Sequence, residues 1–159
     1  SSSPKSGDFR IVVKSIENGA FSTFAITELK SGDQLEVGTP EGKFVFEPSE
    51  TKQNNYCGVA AGSGITPIIS IAKSVLESES NSSFVLIYGN KSPEETIFHN
   101  QIHELQQKYV GRFFVHYPFT QAHPEGSLFG RIDRSTMNFV LKNKFAVKKV
   151  VIFSVFKLP

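Results

Sequence analysis

Residues 56–76 read YCGVAAGSGITPIISIAKSVL, and no other stretch leaves the chain so few ways to fold. The apolar run from Tyr56 to Ala61 is short and bounded by glycine, which reads as a buried strand. After it, Ile68, Ile71, Ala72, Val75 and Leu76 recur at spacings of three and four, one stripe of a helix. Between strand and helix stand Gly62 and Gly64. Everything downstream repeats this rhythm. FVLIY (84–88) is a second strand, and RFFVHY and KVVIFSVF (149–156) are a third and a fourth. The second strand's helix carries a start signal: Ser92 as cap, Pro93 in the first position and Glu95 three residues after the cap. Phe98, Ile102, Leu105 and Tyr109 form its apolar stripe, and a further helix lies near 134–143. Strands alternating with helices predict a parallel sheet with right-handed crossovers over residues 56–159, whose ligands bind beyond the strands' carboxyl ends.

Residues 1–47 follow a different pattern. In FRIVVK, Phe9, Ile11 and Val13 share one face, as in a strand. QLEV and KFVFE read as two more strands flanking the TPEG turn. STFAITEL (22–29) reads as a short helix capped by Ser22, and the polar residues 48–55 as a linker.

The segment Gly62-Ser63-Gly64-Ile65-Thr66-Pro67 opens a helix at the carboxyl end of a strand. Glycine admits positive φ and lets a phosphate approach bare backbone. Thr66 stands as a cap, and Pro67 fits a first position that needs no N–H. Free N–H groups at such a helix end suit a pyrophosphate. The loop is neither a Walker loop, lacking Gly-Lys-Ser/Thr, nor the usual dinucleotide fingerprint, since Pro67 stands where the third glycine would be. A structural turn is the competing reading.

Several classes are disfavoured. A net charge of +2 suggests neither a nucleic-acid nor a membrane partner. No apolar run approaches the roughly 20 residues of a membrane helix. The single cysteine, Cys57, reads as a small buried thiol and fits a reducing compartment, so a cytoplasmic location is expected. His99 and His103 have a spacing that can bind a metal but lack further ligands, so no metal site is read. No nucleophile elbow or paired-acid site is present, which is compatible with chemistry carried by cofactors.

YCGVAAGSGITPIISIAKSVL together with FVLIYGNKSPEETIF resembles the ferredoxin–NADP reductase superfamily, most of all the reductase components of oxygenases. The resemblance implies a partial FAD-binding antiparallel β-barrel over residues 1–47, the linker at 48–55, and an NAD(P)-binding α/β domain over 56–159. It implies that Gly62 to Pro67 hold the nicotinamide cofactor's pyrophosphate. It also implies that Gly19, Ala20, Phe21 and Ser22, following Val13 and Lys14, bind FAD. A hydride would then pass from NAD(P)H to FAD, and electrons onward to an iron–sulfur domain or protein, such as an oxygenase component. The family's Arg-x-Tyr-Ser flavin motif and its Cys-Gly-Pro segment are missing from this sequence, so the chain is expected to be a fragment that holds FAD poorly. A non-catalytic nucleotide-binding module is the alternative.

After the second strand comes Gly89-Asn90-Lys91-Ser92. An acid here favours the free ribose hydroxyls of NAD, whereas a base accommodates a 2′-phosphate. No acid lies in 89–92, and Asn90, Lys91 and Ser92 are read as cofactor-binding, leaning to NADP over NAD. Gly130-Arg131-Ile132 resembles the family's Gly-Arg-Ile segment, and Arg131 is a weaker candidate for a cofactor phosphate.

Overall fold

The structure, a computed structural model, describes residues 2–39, 41–144 and 150–155. Helix α1 spans Ala20–Thr27. The alternating region is built from β1 (Asn55–Ala61), α2 (Ile65–Ser78), β2 (Ser83–Gly89), α3 (His99–Lys108), β3 (Phe113–His116), α4 (Arg134–Lys144) and β6 (Val150–Ser154). Two short strands, β4 (Pro118–Phe119) and β5 (Leu128–Phe129), pair with each other between β3 and α4. The main sheet is parallel throughout, in the order β3-β2-β1-β6, with Cys57 in register with Val85 on one side and Ile152 on the other. Lys149 and Phe156, the ends of the expected fourth strand, and Pro40 of the expected turn lie outside the described residues.

Both faces of the sheet are covered, which is why its strands read as unbroken apolar runs. On one face Tyr56, Ala60, Phe84, Leu86 and Tyr88 pack with Ile65, Ile68, Ala72 and Val75 of α2 and Ile102 of α3. On the other, Cys57, Val59, Val85 and Ile87 meet Met137 and Val140 of α4. Each such large apolar side chain contributes about 1.5–3 kcal/mol by leaving water. Gly58 sets how close α2 can come: a Cβ there would lie 2.5 Å from Ile68 Cγ2 and 2.8 Å from the Phe84 ring.

Three expectations need correction. The predicted helix start at Ser92–Pro93 is instead a turn, closed by the Thr96 N–H to the Pro93 carbonyl (3.0 Å) and the Thr96 hydroxyl to the Ser92 carbonyl (3.0 Å). Helix α3 begins only at His99, because Phe98 takes a left-handed conformation (φ 63°) that no helix can run through. Ser22 does not cap α1. Gly19 is the cap residue, and the buried Ser22 hydroxyl turns back to accept the Ile16 N–H (3.2 Å).

The third correction concerns the strands expected in residues 1–47. Among the described residues, 9–14, 34–37 and 43–47 join no ladder. Phe9 is 81% exposed and Val37 72%. Period-two alternation supplies an apolar face, but a strand also needs a hydrogen-bonding neighbour, and here these segments find none. Only the end of the region docks on the sheet: Phe46 meets Tyr56 (5.6 Å) and Phe153 (5.7 Å) edge to face.

The stretch expected as a linker is held down. The Ser49 N–H donates to Glu79 Oε1 (3.1 Å) and the Asn54 N–H to Ser82 Oγ (3.0 Å), and Asn55 already belongs to β1.

Candidate functional site

At the carboxyl ends of β1 and β2 the sheet opens into a cavity of about 680 Å³. Ala61 and Gly62 line it from β1, and Gly89, Asn90 and Lys91 from β2. Pro118, Thr120 and residues 130–132 form its rim, while Val12, Val13 and Lys14 reach it from the amino-terminal region. Two segments predicted from unrelated motifs therefore face one space.

Backbone pairing holds the rim. The Asn90 N–H donates to the Pro118 carbonyl (3.1 Å), the Thr120 N–H to the Asn90 carbonyl (3.1 Å) and the Gln121 N–H to the Lys91 carbonyl (2.9 Å). The Gly130 N–H donates to the Phe119 carbonyl (2.8 Å). Tyr117 and Phe119 stack behind this ladder at 5.8 Å, and Tyr88 lies 6.2 Å from Tyr117. Burial pushes the Tyr88 and Tyr117 phenols up to about 12, so both stay protonated near neutrality.

The two glycines of the loop serve different ends. Gly62 sits at φ 49°, in the left-handed region, and a Cβ there would meet nothing within 4 Å. It presents bare backbone to the cavity, and the Tyr88 hydroxyl fixes it by donating to its carbonyl (2.9 Å). Gly64 has ordinary dihedrals, but a Cβ would lie 2.6 Å from Val155 Cγ2. It is glycine so that the end of β6 can pass close by.

The head of α2 also differs from expectation. Gly62–Gly64 form a 3-10 turn, Gly64 is the cap residue and Ile65 the first helical one. Thr66 and Pro67 therefore occupy the second and third positions rather than the cap and the first. Pro67 is still tolerated, since first-turn N–H groups have no partner within the helix. Ile65 is fully buried, and its N–H is spent on the carbonyls of Gly62 and Ser63. Its side chain packs in the core and its amide is hydrogen-bonded within the turn.

Of the predicted residues, Val13, Lys14, Gly62, Asn90 and Lys91 share the cavity wall. Ser63, Gly64, Thr66 and Pro67 lie beside Gly62 at the head of α2 but off that wall. Ser92 and the group Gly19, Ala20, Phe21 and Ser22 also stand off it. Ser22 is turned inward, which leaves the exposed Ala20 and Phe21 to face outward at the start of α1.

Sequence reasoning misses Tyr88, Thr120 and Glu95. In the sequence Glu95 reads as the acid of a capping box. With no helix at 93–98, it instead lines the cavity and pairs with Lys91 (Nζ to Oε2, 3.6 Å). The four-residue spacing is the available signal. Lys14, Lys91 and Arg131 give the cavity three cations, which with the open backbone at Gly62 fit an anionic dinucleotide. His99 and His103 play no part in it: His99 lies against the Tyr117 ring (5.6 Å) and His103 pairs with Gln107 (3.0 Å).

Comparison with known proteins agrees with this geometry. Residues 59–149 match the oxidoreductase NAD-binding domain family, and residues 1–46 match the oxidoreductase FAD-binding domain family. The chain is 38% identical over 128 residues to a 1,2-phenylacetyl-CoA epoxidase subunit of Escherichia coli, covering 80% of this chain and 36% of that protein. It is 36% identical over 121 residues to NADH-cytochrome b5 reductase 1 of Cryptococcus neoformans, covering 76% of this chain and 40% of that one. The chain thus spans well under half the length of these relatives. The crystal structure of the cytochrome b5 reductase domain of Ulva prolifera nitrate reductase shares the fold: TM-score 0.70 at 22% identity, over 89% of this chain and 54% of that one. No helix among the described residues is long and apolar enough to cross a membrane.

Proposed function

We propose, because this chain belongs to the ferredoxin–NADP reductase family of FAD- and NAD-binding oxidoreductases, that it is the hydride-accepting portion of a flavin-dependent reductase serving an oxygenase system. In this reading residues 1–47 contribute part of the FAD site, 48–55 connect, and 56–159 bind the nicotinamide dinucleotide. Bound FAD would supply the redox chemistry, taking a hydride from NAD(P)H and releasing electrons singly to an iron–sulfur acceptor on another segment or protein. The oxygenase assignment draws on the Escherichia coli relative, which belongs to an epoxidase.

The supporting observation is the shared cavity, with Val13 and Lys14 on one wall and Gly62, Asn90 and Lys91 on the other. Gly62 offers backbone to a pyrophosphate, with Tyr88 fixing its carbonyl. Lys14 and Arg131, which also line the space, neutralise phosphate charge. The apolar Val12, Ile97 and Ile132 keep water from the space between. Holding two rings in contact geometry contributes on the order of 7–11 kcal/mol in favourable cases, and that positioning is what such a cavity provides.

The test uses the purified chain saturated with FAD, then given NADH or NADPH with ferricyanide as acceptor. Reduction of ferricyanide that Gly62→Val slows through a raised KM supports the reading. A chain that binds ADP-ribose but stays colourless in excess FAD is a nucleotide-binding module. A chain that binds neither sinks both.

A further inference from the structure

We infer that Glu95 makes this a site for the dinucleotide without a 2′-phosphate, so that the hydride donor is NADH. The inference rests on the reading above that the cavity takes a nicotinamide dinucleotide. Lys91 alone, at the end of β2, points the other way, since a base there accommodates a 2′-phosphate. Its surroundings reverse that reading.

Lys91 is committed. Its ammonium lies 3.6 Å from the Glu95 carboxylate, and both groups line the cavity. Ser92, the other group read as a phosphate partner, stands off the cavity wall, and its carbonyl is taken by the Thr96 hydroxyl (3.0 Å). Of the two, the one that reaches the cavity thus already faces a carboxylate. A ribose diol can donate hydrogen bonds to such a carboxylate. A phosphate only accepts, and it is repelled.

Charge balance agrees. Among the described residues that line the cavity, Lys14, Lys91 and Arg131 stand against Glu95, leaving two net positive charges. That is no surplus over the diphosphate of one dinucleotide, and Lys14 belongs to the flavin side of the space. A further phosphate adds about −1.5 to −2 charge. Among the same residues the cation that directly follows β2 is Lys91, and it is paired. Arg131 lies in the neighbouring 130–132 loop on the rim, whose Ile132 packs against Gly89 at the end of β2.

Lys91 and Glu95 are 60% and 52% exposed, so water and salt screen the pair, and the discrimination is moderate and ionic-strength dependent.

Isothermal titration with ADP-ribose and 2′-phospho-ADP-ribose isolates the phosphate without requiring flavin or turnover. The wild-type chain should prefer ADP-ribose. Glu95→Gln should shift the ratio toward the phosphorylated ligand by about two- to fivefold at low salt, and by less at high salt. Glu95→Asp should retain the wild-type preference. A wild-type preference for 2′-phospho-ADP-ribose, or a ratio indifferent to Glu95→Gln, overturns the role of Glu95 and leaves the dinucleotide reading standing. Failure of both ligands to bind the folded wild-type chain overturns both.

Discussion

The two ends of the sheet solve opposite problems. At the amino end, polar groups are buried and matched. The Glu79 carboxyl, fully buried, accepts from the Tyr56 hydroxyl (2.9 Å), the Ser82 hydroxyl (2.7 Å) and the Ser49 N–H (3.1 Å). Arg112 closes the same corner, donating from Nε to the Ser82 carbonyl (2.9 Å) and from Nη2 to the Glu79 carbonyl (2.5 Å). At the carboxyl end, backbone and cations are left facing a cavity. A matched buried network fixes structure, and an open charged one is available to a ligand. Stability and binding are therefore expected to reside at opposite ends and to respond to different substitutions.

The largest effect should come from the closed end. Glu79→Ala leaves two hydroxyls and a backbone N–H without their acceptor, a loss of about 3 kcal/mol. Urea unfolding should show a lower midpoint, while ADP-ribose binds the folded chain with unchanged affinity. An affinity that falls along with stability would mean that the two ends are coupled and would break the comparison.

How much of this is legible in the sequence follows the same division by range. β1, β2 and the body of α2 are readable because burial on two faces writes itself as periodicity within a few residues. The position of the cavity follows from the strand–glycine–helix order. What fails depends on contacts distant in sequence or on one unusual dihedral. Gly64 is required by Val155, far along the chain. The start of α3 is set by the left-handed Phe98, which overrides a good capping signal at Ser92–Glu95. Strands β4 and β5 escape notice because two residues carry no period. Cys57 reads as a buried thiol, and it is fully buried, with desolvation pushing its pKa up to about 12. Glu95 shows the limit best: its type and spacing are visible, but only the fold decides whether an acid caps a helix or holds a lysine.

At the open end a smaller change should act mainly on binding. Tyr88→Phe removes the hydroxyl that holds the Gly62 carbonyl and keeps the buried ring. Loss of one such hydrogen bond costs about 1 kcal/mol of stability. The consequence for the loop is greater, since Gly62 is then free to leave the left-handed conformation that bares its backbone. ADP-ribose affinity should fall severalfold, against the modest shift in the urea midpoint. Equal affinity in wild type and variant would show that Gly62 holds its conformation unaided.

The smallest expected effect, and the finest probe of the comparison, is the pH response of His116, the last residue of β3 at the sheet's open end. Its Nε2 is buried without a hydrogen-bond partner. Burial first, and the nearby Lys144 charge second, hold its pKa below the usual 6.5. Between that lowered value and 6.5 the unfolded chain binds a proton that the folded chain does not. Stability should therefore decline as pH falls below about 6.5, and this residue should contribute no slope above it. His116→Gln should flatten that part of the urea-midpoint profile while leaving the alkaline side unchanged. The acid slope of any carboxylates lies lower and is common to both proteins, so the difference between the two curves isolates the imidazole. Were the two profiles parallel between about pH 5 and 7, His116 would be as well solvated when folded as when unfolded.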